Sequence, residues 1–138
     1  MTGHVDPDRE RFAIFKAMES KGPIQMLNLV RLRDTAVYED GIMVTGKEAY
    51  SAYGRESGPV FQRLGGRIVW SGNFEMVLIG PDEEYWDICF IAEYPSSQAF
   101  VAMLRDETYR AAVKHRQAAV LDSRLIRLQP GNGRSSFG

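Results

Sequence analysis

The sequence has little of what specialised chemistry usually requires. Its 138 residues include one cysteine and two histidines, so no internal disulfide can form and a dedicated zinc site lacks ligands. No apolar run approaches the roughly 20 residues of a membrane-spanning helix. Lysine and arginine are not clustered and the formal net charge is -1, so no overall field attracts nucleic acid or an anionic membrane.

Several enzyme motifs are also missing. The sequence has no P-loop, no G-x-G-x-x-G after a strand and no G-x-S-x-G nucleophile elbow. The first residues, Met-Thr-Gly-His-Val-Asp-Pro-Asp, lack the basic and apolar regions of a signal peptide. Because 44% hydrophobic and 25% charged residues are typical of globular proteins, we expect a single-domain cytoplasmic protein.

The most informative stretch runs from Gly65 to Tyr94. Apolar residues recur at every second position in Arg67–Ile79 and again in Tyr85–Tyr94, and Gly80-Pro81 opens the turn between them. Alternation bounded by glycine and proline predicts a long β-hairpin. The opposite positions are partly apolar too, so this hairpin needs a cover on each face.

The other elements follow from apolar periodicity and from start and stop signals. A first strand, Ile24–Arg33, is nearly all apolar, which predicts a central position. The remaining predicted elements are a short helix opened by Asp6-Pro7 and closed by Gly22-Pro23, a β-excursion around Asp40-Gly41 between Asp34 and Val44, a helix capped by Thr45 and Glu48 and ended by Gly65-Gly66, two helical segments after Ser96 with a break near Asp106, and a last strand, Leu121–Leu128. Their order predicts an α+β fold, a four-stranded antiparallel sheet with both helices on one face.

This arrangement predicts a helical extension (1–22), a folded domain (23–129) and a flexible tail (130–138). The sheet face without helices would measure roughly 400 Å² from standard strand spacing and length. A patch of that size is near the largest that soluble monomers expose. A second copy is the simplest cover, so we expect a homodimer through the sheet face, with neither nucleic acid nor a membrane as partner.

Several short blocks are similar to a known family. They are Leu27-Asn28-Leu29, Thr45 to Tyr53, Gly65-Gly66-Arg67 with Trp70, Tyr94-Pro95-Ser96, Tyr109 and His115-Arg116. Over about Gly22 to Pro130 the sequence resembles the dimeric α/β-barrel superfamily and, within it, the bacterial family known as the thirteen-thirty domain of unknown function. The resemblance implies a ferredoxin-like βαββαβ fold, dimerisation into an α/β barrel and no assigned catalytic residue. Superfamily relatives include cofactor-free monooxygenases, haem-handling enzymes and lactone isomerases, which is an association of fold and not of function.

Two polar residues, Asn28 and Arg31, interrupt the apolar first strand. In one interpretation Arg31 either has a structural partner on a neighbouring strand, because a charge in a core must be paired, or is a strand-end charge that reaches solvent. The candidate partners are Glu75, Asp87 and Glu93. In the other interpretation Asn28 and Arg31 clamp an anion or a carbonyl group in a pocket between sheet and helices.

Aromatic residues suggest where such a pocket lies. Tyr50 and Tyr53 are one turn apart on the predicted helix, and Trp70 is on the adjoining strand. They either belong to the core or line a small-ligand site. Asn73 either decorates a strand edge or supplies an oxyanion-type hydrogen bond to the ligand.

His115 and Arg116 are the candidate catalytic residues. The structural interpretation makes His115 a surface or capping residue near a helix C-terminus. The catalytic interpretation makes it a general base or, in a haem-handling alternative, an axial ligand. We expect no metal and no cofactor, because haem needs a roomy apolar cavity that no motif here specifies.

Three functions remain open. The chain is a small enzyme of monooxygenase or isomerase type acting on an apolar carbonyl compound, a non-catalytic small-molecule binding or sensing dimer, or a dimer that acts through its surface. A deep pocket with a perturbed histidine or arginine favours the enzyme. An apolar pocket without convergent polar groups favours the binding protein.

Overall fold

The computed structural model describes residues 3–19, 21–131, 133, 136 and 137. The elements in this part of the chain are α1 (Arg9–Ala17), β1 (Ile24–Leu32), α2 (Gly46–Arg63), β2 (Arg67–Gly72), β3 (Ile88–Tyr94), α3 (Ser97–Arg105), α4 (Glu107–Ala119) and β4 (Val120–Leu128). The strands form one antiparallel sheet in the order β2-β3-β1-β4. This is the ferredoxin-like arrangement with an extra N-terminal helix, so the predicted α+β fold is confirmed.

Strand β1 is central, as its apolar sequence predicts. It pairs with β3 and β4, so that Leu27 lies opposite Ile91 on one side and Ile126 on the other. Successive side chains of a strand point to opposite faces. Met26, which is buried among helix residues, therefore shares the helix side of the sheet with Asn28, whereas Leu27 belongs to the open side.

The core fills the space between the helix side of the sheet and α2, α3 and α4. Its buried members are Ile24, Met26, Val60, Ala92, Tyr94, Phe100, Met103 and Tyr109. Tyr94 connects strand and helices, because its ring centroid is 5.3 Å from that of Phe61 and 5.1 Å from that of Phe100. Burial of a large apolar side chain contributes about 1.5–3 kcal/mol, so this layer supplies most of the stability.

Helix α2 begins and ends at the predicted signals. The Thr45 hydroxyl accepts a hydrogen bond from the Glu48 amide, and the Glu48 carboxylate accepts one from the Thr45 amide, both at 3.0 Å. This reciprocal capping satisfies two amides at the helix start. At the other end Gly65 has a φ of 86°, a left-handed conformation that favours glycine. These two signals set where α2 starts and where the chain turns into β2.

The predicted hairpin has the right place but the wrong length. Strand β2 ends at Gly72 and not at Ile79, and β3 begins at Ile88 and not at Tyr85. The connecting residues alternate in polarity, yet Leu78 among them is 83% exposed. Alternation produces a strand only where a pairing neighbour and a buried face exist, and this segment is not buried against the sheet.

Asp87 attaches the end of this connection to β1. Its amide donates to the Val30 carbonyl at 2.8 Å, and its carboxylate accepts from the Leu32 amide at 2.7 Å. The preceding Trp86 is buried, with the Arg124 guanidinium 5.3 Å from its ring centroid. The chain therefore enters β3 along β1 and not through a tight hairpin turn.

The first helix starts later than predicted. Asp8 caps α1 by accepting a hydrogen bond from the Arg11 amide at 2.7 Å. The predicted cap, Asp6, instead accepts from the Gln117 side chain of α4 at 3.2 Å. The residues before α1 are thereby held against α4.

The predicted β-excursion is also smaller in the structure. It consists of one bridge between Thr35 and Thr45 and a turn in which the Gly41 amide donates to the Tyr38 carbonyl at 3.2 Å. The Tyr38 hydroxyl lies 2.6 Å from Nδ1 of His115, so this loop is anchored to α4 and forms no second sheet. The predicted helix break near Asp106 is confirmed.

The predicted division at 1–22, 23–129 and 130–138 stays a prediction, and residues 1, 2, 20, 132, 134, 135 and 138 of it lie outside the described part of the chain. Helix α1 packs on the domain through Phe15, whose ring centroid is 5.0 Å from that of Phe100. Among the described helices, none combines the length and apolarity needed to cross a membrane.

Candidate functional site

A cavity of about 850 Å³ lies between the helix side of the sheet and the helices. Its lining comes from β1, β3, β4 and all four helices, together with residues 4–8 ahead of α1. The apolar lining residues are Val5, Pro7, Phe12, Phe15, Met26, Phe100, Met103, Leu104, Val113 and Leu125, and Ile126 borders the cavity although its side chain belongs to the open side of the sheet. This volume and this lining are typical of a small-ligand site.

Two tyrosines form the polar centre of the cavity wall. The hydroxyls of Tyr53 on α2 and Tyr109 on α4 are 2.7 Å apart, and their rings meet edge to face. Burial raises the pKa of Tyr53 well above its ordinary value and also raises the pKa of Tyr109. Both hydroxyls therefore stay protonated at neutral pH, and one can donate to a ligand while the other completes the pair.

Arg116 and Asn28 add further polar groups. The Arg116 guanidinium donates to the Val5 carbonyl and, at 3.3 Å, to the Ser123 hydroxyl. The Asn28 amide donates to the Met26 carbonyl at 3.0 Å, which orients its side chain on the helix side of β1. Asn28, Tyr53 and Arg116, three of the predicted site residues, thus line one cavity.

Tyr50 lies behind this wall. Its ring centroid is 5.4 Å from that of Tyr53, and burial raises the pKa of its hydroxyl. It is not among the residues that line the cavity. Tyr50 therefore supports Tyr53 from the side away from the ligand space.

His115 lies outside the cavity. Its Nδ1 is 2.6 Å from the Tyr38 hydroxyl and its Nε2 is 2.8 Å from the Glu56 carboxylate. Both ring nitrogens are thus occupied in joining α4 to α2 and to the loop before α2. His115 is thus a half-buried link between these elements and neither nitrogen is directed into the ligand space, while its predicted role, structural or catalytic, stays a prediction.

Three predicted site residues lie on other surfaces. Arg31 is on the open side of the sheet, where its guanidinium is 4.7 Å from the Tyr85 ring centroid. Trp70 is half exposed on β2. Asn73 borders a shallow hollow between β2 and β3. The structure therefore does not bring these residues to the cavity.

The predicted ion pair of Arg31 is not present among the described residues. Glu93 instead accepts from the Arg67 guanidinium at 2.7 Å and from the Gln25 amide at 3.0 Å. Asp87 accepts from the Leu32 amide, and Glu75 has no ion-pair partner in the described part of the chain. Arg31 instead stacks on an aromatic ring at the sheet surface, which is closer to the alternative of a charge that reaches solvent than to an ion pair in a core.

Sequence reasoning missed Tyr109, Ser123 and Arg127 as lining residues. A signal for Tyr109 was present, since it shares a helix face with Arg116 at a spacing of seven residues. Ser123 and Arg127 occupy alternate positions of β4 on the helix side. The sequence signal for these two lining residues was therefore the presence of two polar residues on the buried face of one strand.

Metal and haem sites find little support in these residues. Within the described part of the chain, no group of three or more histidine, cysteine, aspartate or glutamate side chains is placed to hold a metal ion. In the haem alternative His115 would be the axial ligand, but its nitrogens contact Tyr38 and Glu56. The residues present therefore do not fit a haem group.

The fold and the cavity define a ferredoxin-like α+β protein with a ligand-sized space between sheet and helices. The family model described as domain of unknown function DUF1330 matches residues 41–127. The chain belongs to this family, which confirms the resemblance seen in the sequence. A search of curated proteins finds no match.

Solved structures agree with this assignment. The chain is 66% identical to the RPA0582 protein of unknown function from Rhodopseudomonas palustris, with a TM-score of 0.92 over 95% of this chain and 99% of that chain. A methylated RPA0582 protein matches at 65% identity and a TM-score of 0.94, over 97% and 100% of the two chains. An uncharacterised NIPSNAP-like domain protein from Burkholderia xenovorans is 14% identical, with a TM-score of 0.51 over 84% and 91% of the chains. This last likeness shows the fold alone.

Proposed function

We propose that this protein binds a small apolar compound that carries a carbonyl group, in the cavity between sheet and helices. The observation behind the proposal is the convergence of the Tyr53 and Tyr109 hydroxyls with the Arg116 guanidinium in a largely apolar space. Convergent polar groups alone would favour an enzyme, but the predicted general base, His115, does not line this space, so binding is put first. In a partly enclosed, largely apolar space each hydrogen bond to a bound carbonyl oxygen is stronger than in bulk water. The apolar walls bind the body of the ligand and the donors orient its polar end.

Binding of 2-acetonaphthone, a flat apolar ketone, tests this proposal. Saturable binding is expected by isothermal titration calorimetry, and the double variant Tyr53→Phe/Tyr109→Phe should weaken it about tenfold, the equivalent of one hydrogen bond of about 1.4 kcal/mol. Tyr85→Phe is the matched control, because Tyr85 bonds Asp87 outside the cavity. Absence of saturable binding, or equal losses in control and double variant, contradicts the proposal.

A second candidate is an isomerase-like enzyme using the same cavity. The observation that favours it is that two acidic residues, Asp6 and Asp8, are among the residues that line the cavity together with the donors. A carboxylate can remove a proton next to a carbonyl group whose oxygen is stabilised by hydrogen bonds. Enzyme-dependent deuterium uptake by the methyl group of 2-acetonaphthone in heavy water is then expected, and exchange at the uncatalysed rate contradicts it.

We also infer that a second copy covers the open side of the sheet. Strand alternation places Trp70, Ile126 and Leu128 on that side, with exposures of 50%, 42% and 39%. In the connection between β2 and β3, Ile79 is 93% exposed. Apolar side chains on one continuous face are the composition of a homodimer interface.

Analytical ultracentrifugation at micromolar concentration tests this inference. The wild type should sediment as a dimer and Ile126→Lys as a monomer, because a charge in the centre of an apolar interface lacks a partner. Ile14→Lys is the control, since Ile14 is an exposed residue of α1 away from the open side. A monomeric wild type contradicts the inference.

A further inference from the structure

Arg116 has an unusual position for a positive charge. Its side chain is only 14% exposed, yet its short contacts are to neutral oxygens, the Val5 carbonyl and the Ser123 hydroxyl. The only carboxylate within 4.0 Å among the described residues is that of Asp6, at 3.9 Å on a side chain 49% exposed. A guanidinium removed from water is normally paired with an anion, so Arg116 lacks a close counter-ion.

The rest of the cavity strengthens the positive potential. Arginines outnumber the two lining aspartates, Asp6 and Asp8, even when Arg124 is left out because its strand position faces the open side and it pairs with Asp122. The remaining lining arginines are Arg11, Arg110, Arg116 and Arg127. A surplus of positive charge along a partly enclosed space attracts anionic ligands.

Among the lining arginines, Arg116 is the one whose charge acts on both tyrosines of the pair. Its charge lowers the pKa of Tyr53 and Tyr109, in opposition to the larger effect of burial, which raises them. By contrast, Arg127 donates to the Ser97 hydroxyl and stacks on Phe15. The guanidinium of Arg116 and the tyrosine pair thus form one group of donors, to which the pair contributes one free hydroxyl proton.

Residues 3–8, here called the N-terminal strap, also contact the Arg116 guanidinium. The strap is held by the His4 amide donating to Asp122 at 2.8 Å and by the Ser123 hydroxyl donating to the His4 carbonyl at 2.7 Å. Its next carbonyl, that of Val5, accepts from Arg116. The strap is thus held by individual hydrogen bonds and belongs to no helix or strand, so a ligand that bonds Arg116 more strongly than the neutral Val5 carbonyl does can replace it.

We propose that the natural ligand is an apolar carboxylic acid whose carboxylate displaces the strap from Arg116. The carboxylate accepts two hydrogen bonds from the guanidinium, a geometry that suits this side chain. Its apolar body fills the cavity, and the strap is a competing occupant of the same donors. This inference rests on the proposed function and names the class of its ligand.

Two probes of the same shape test the inference, 2-naphthoate and the neutral 2-naphthamide. Calorimetric titration of the full chain at neutral pH should give at least about tenfold tighter binding of the acid, since hydrogen bonds to charged groups are the stronger ones. In Arg116→Gln the ratio of the two affinities should fall to about one. Arg55→Gln, at an exposed position of α2, should keep the wild-type ratio.

Two further variants keep the test decisive if Arg116→Gln does not fold. Arg116→Lys retains the charge but loses the paired donors, so the ratio should fall only in part. In Gly3→Ala the new Cβ would lie 1.8 Å from the Leu121 carbonyl oxygen, which prevents the strap from seating. Acid affinity should then rise severalfold while amide affinity stays unchanged.

The possible failures are separable. If both probes bind equally well to the wild type, the carboxylic acid inference is overturned and the proposed function stands. If neither probe binds, the proposed function is overturned as well. An acid preference that persists in Arg116→Gln overturns the assignment of Arg116.

Discussion

Removal of one hydroxyl from the tyrosine pair should cost more than removal of both. Tyr53→Phe leaves the Tyr109 hydroxyl buried without its partner at 2.7 Å, and Tyr109→Phe does the same to Tyr53. An unsatisfied buried polar group costs about 1–3 kcal/mol. Replacing both tyrosines by phenylalanine leaves no unsatisfied hydroxyl and retains the ring packing. The free energy of unfolding of the double variant should therefore lie within about 0.5 kcal/mol of the wild-type value.

Urea denaturation of the four proteins, followed by circular dichroism, measures this cycle. Each single variant should lose about 1–2 kcal/mol, toward the lower end if cavity water replaces the missing partner. The coupling energy between the two positions should then be at least about 1 kcal/mol and favourable. Tyr85→Phe, at an exposed tyrosine, supplies the matched control and should change stability by less than about 0.5 kcal/mol.

Additive losses in the double variant would refute this reasoning. They would mean that each hydroxyl has an independent partner and that the pair is not a closed unit. A change in the slope of the urea dependence would instead show a change in the surface exposed on unfolding. Equal slopes are therefore part of the expected result.

Three further changes test other parts of the structure. Hydrogen bonding from Arg67 lowers the pKa of the Glu93 carboxyl below its ordinary 4.5. The stabilisation from the ionised carboxylate is therefore present above pH 4.5 and is lost as the pH falls through the pKa of the folded state. Glu93→Gln should differ from the wild type in urea midpoint at pH 7 and converge with it in strong acid. His115→Ala removes two side-chain contacts and should lower the free energy of unfolding by about 1–3 kcal/mol, whereas lost activity with unchanged stability would support the general-base hypothesis instead. Gly46→Ala places a Cβ 1.9 Å from a backbone carbonyl oxygen and should destabilise by about 1–3 kcal/mol or more, while Gly54→Ala, with open space around it, should stabilise by up to about 1 kcal/mol in thermal melts.

The parts of the fold that were predictable are governed by local chemistry. The capping residues Thr45 and Glu48 define the start of α2 wherever the helix packs, and the apolar run of β1 has few positions other than the centre of a sheet. The extent of β2 was not predictable, because it depends on a distant contact. Asp87 binds the end of β1, and no pattern within residues 73–87 reveals that attachment.

The candidate site was predictable to the extent that polar residues interrupt buried faces. Asn28 and Arg116 were visible in this way, and both line the cavity. Arg31 gave the same signal but lies on the open side, since alternation along a strand separates two faces without telling which one the helices cover. Tyr109 required knowledge that α2 and α4 are neighbours, which is a property of the tertiary fold.

The two faces of strand β1 are assigned to two different binding partners. Asn28 faces the ligand space, and the adjacent Leu27 faces the side assigned to the second copy. In the proposed dimer, β1 would therefore form the floor of the cavity and part of the subunit contact. A displacement of β1 would then change ligand binding and subunit affinity together.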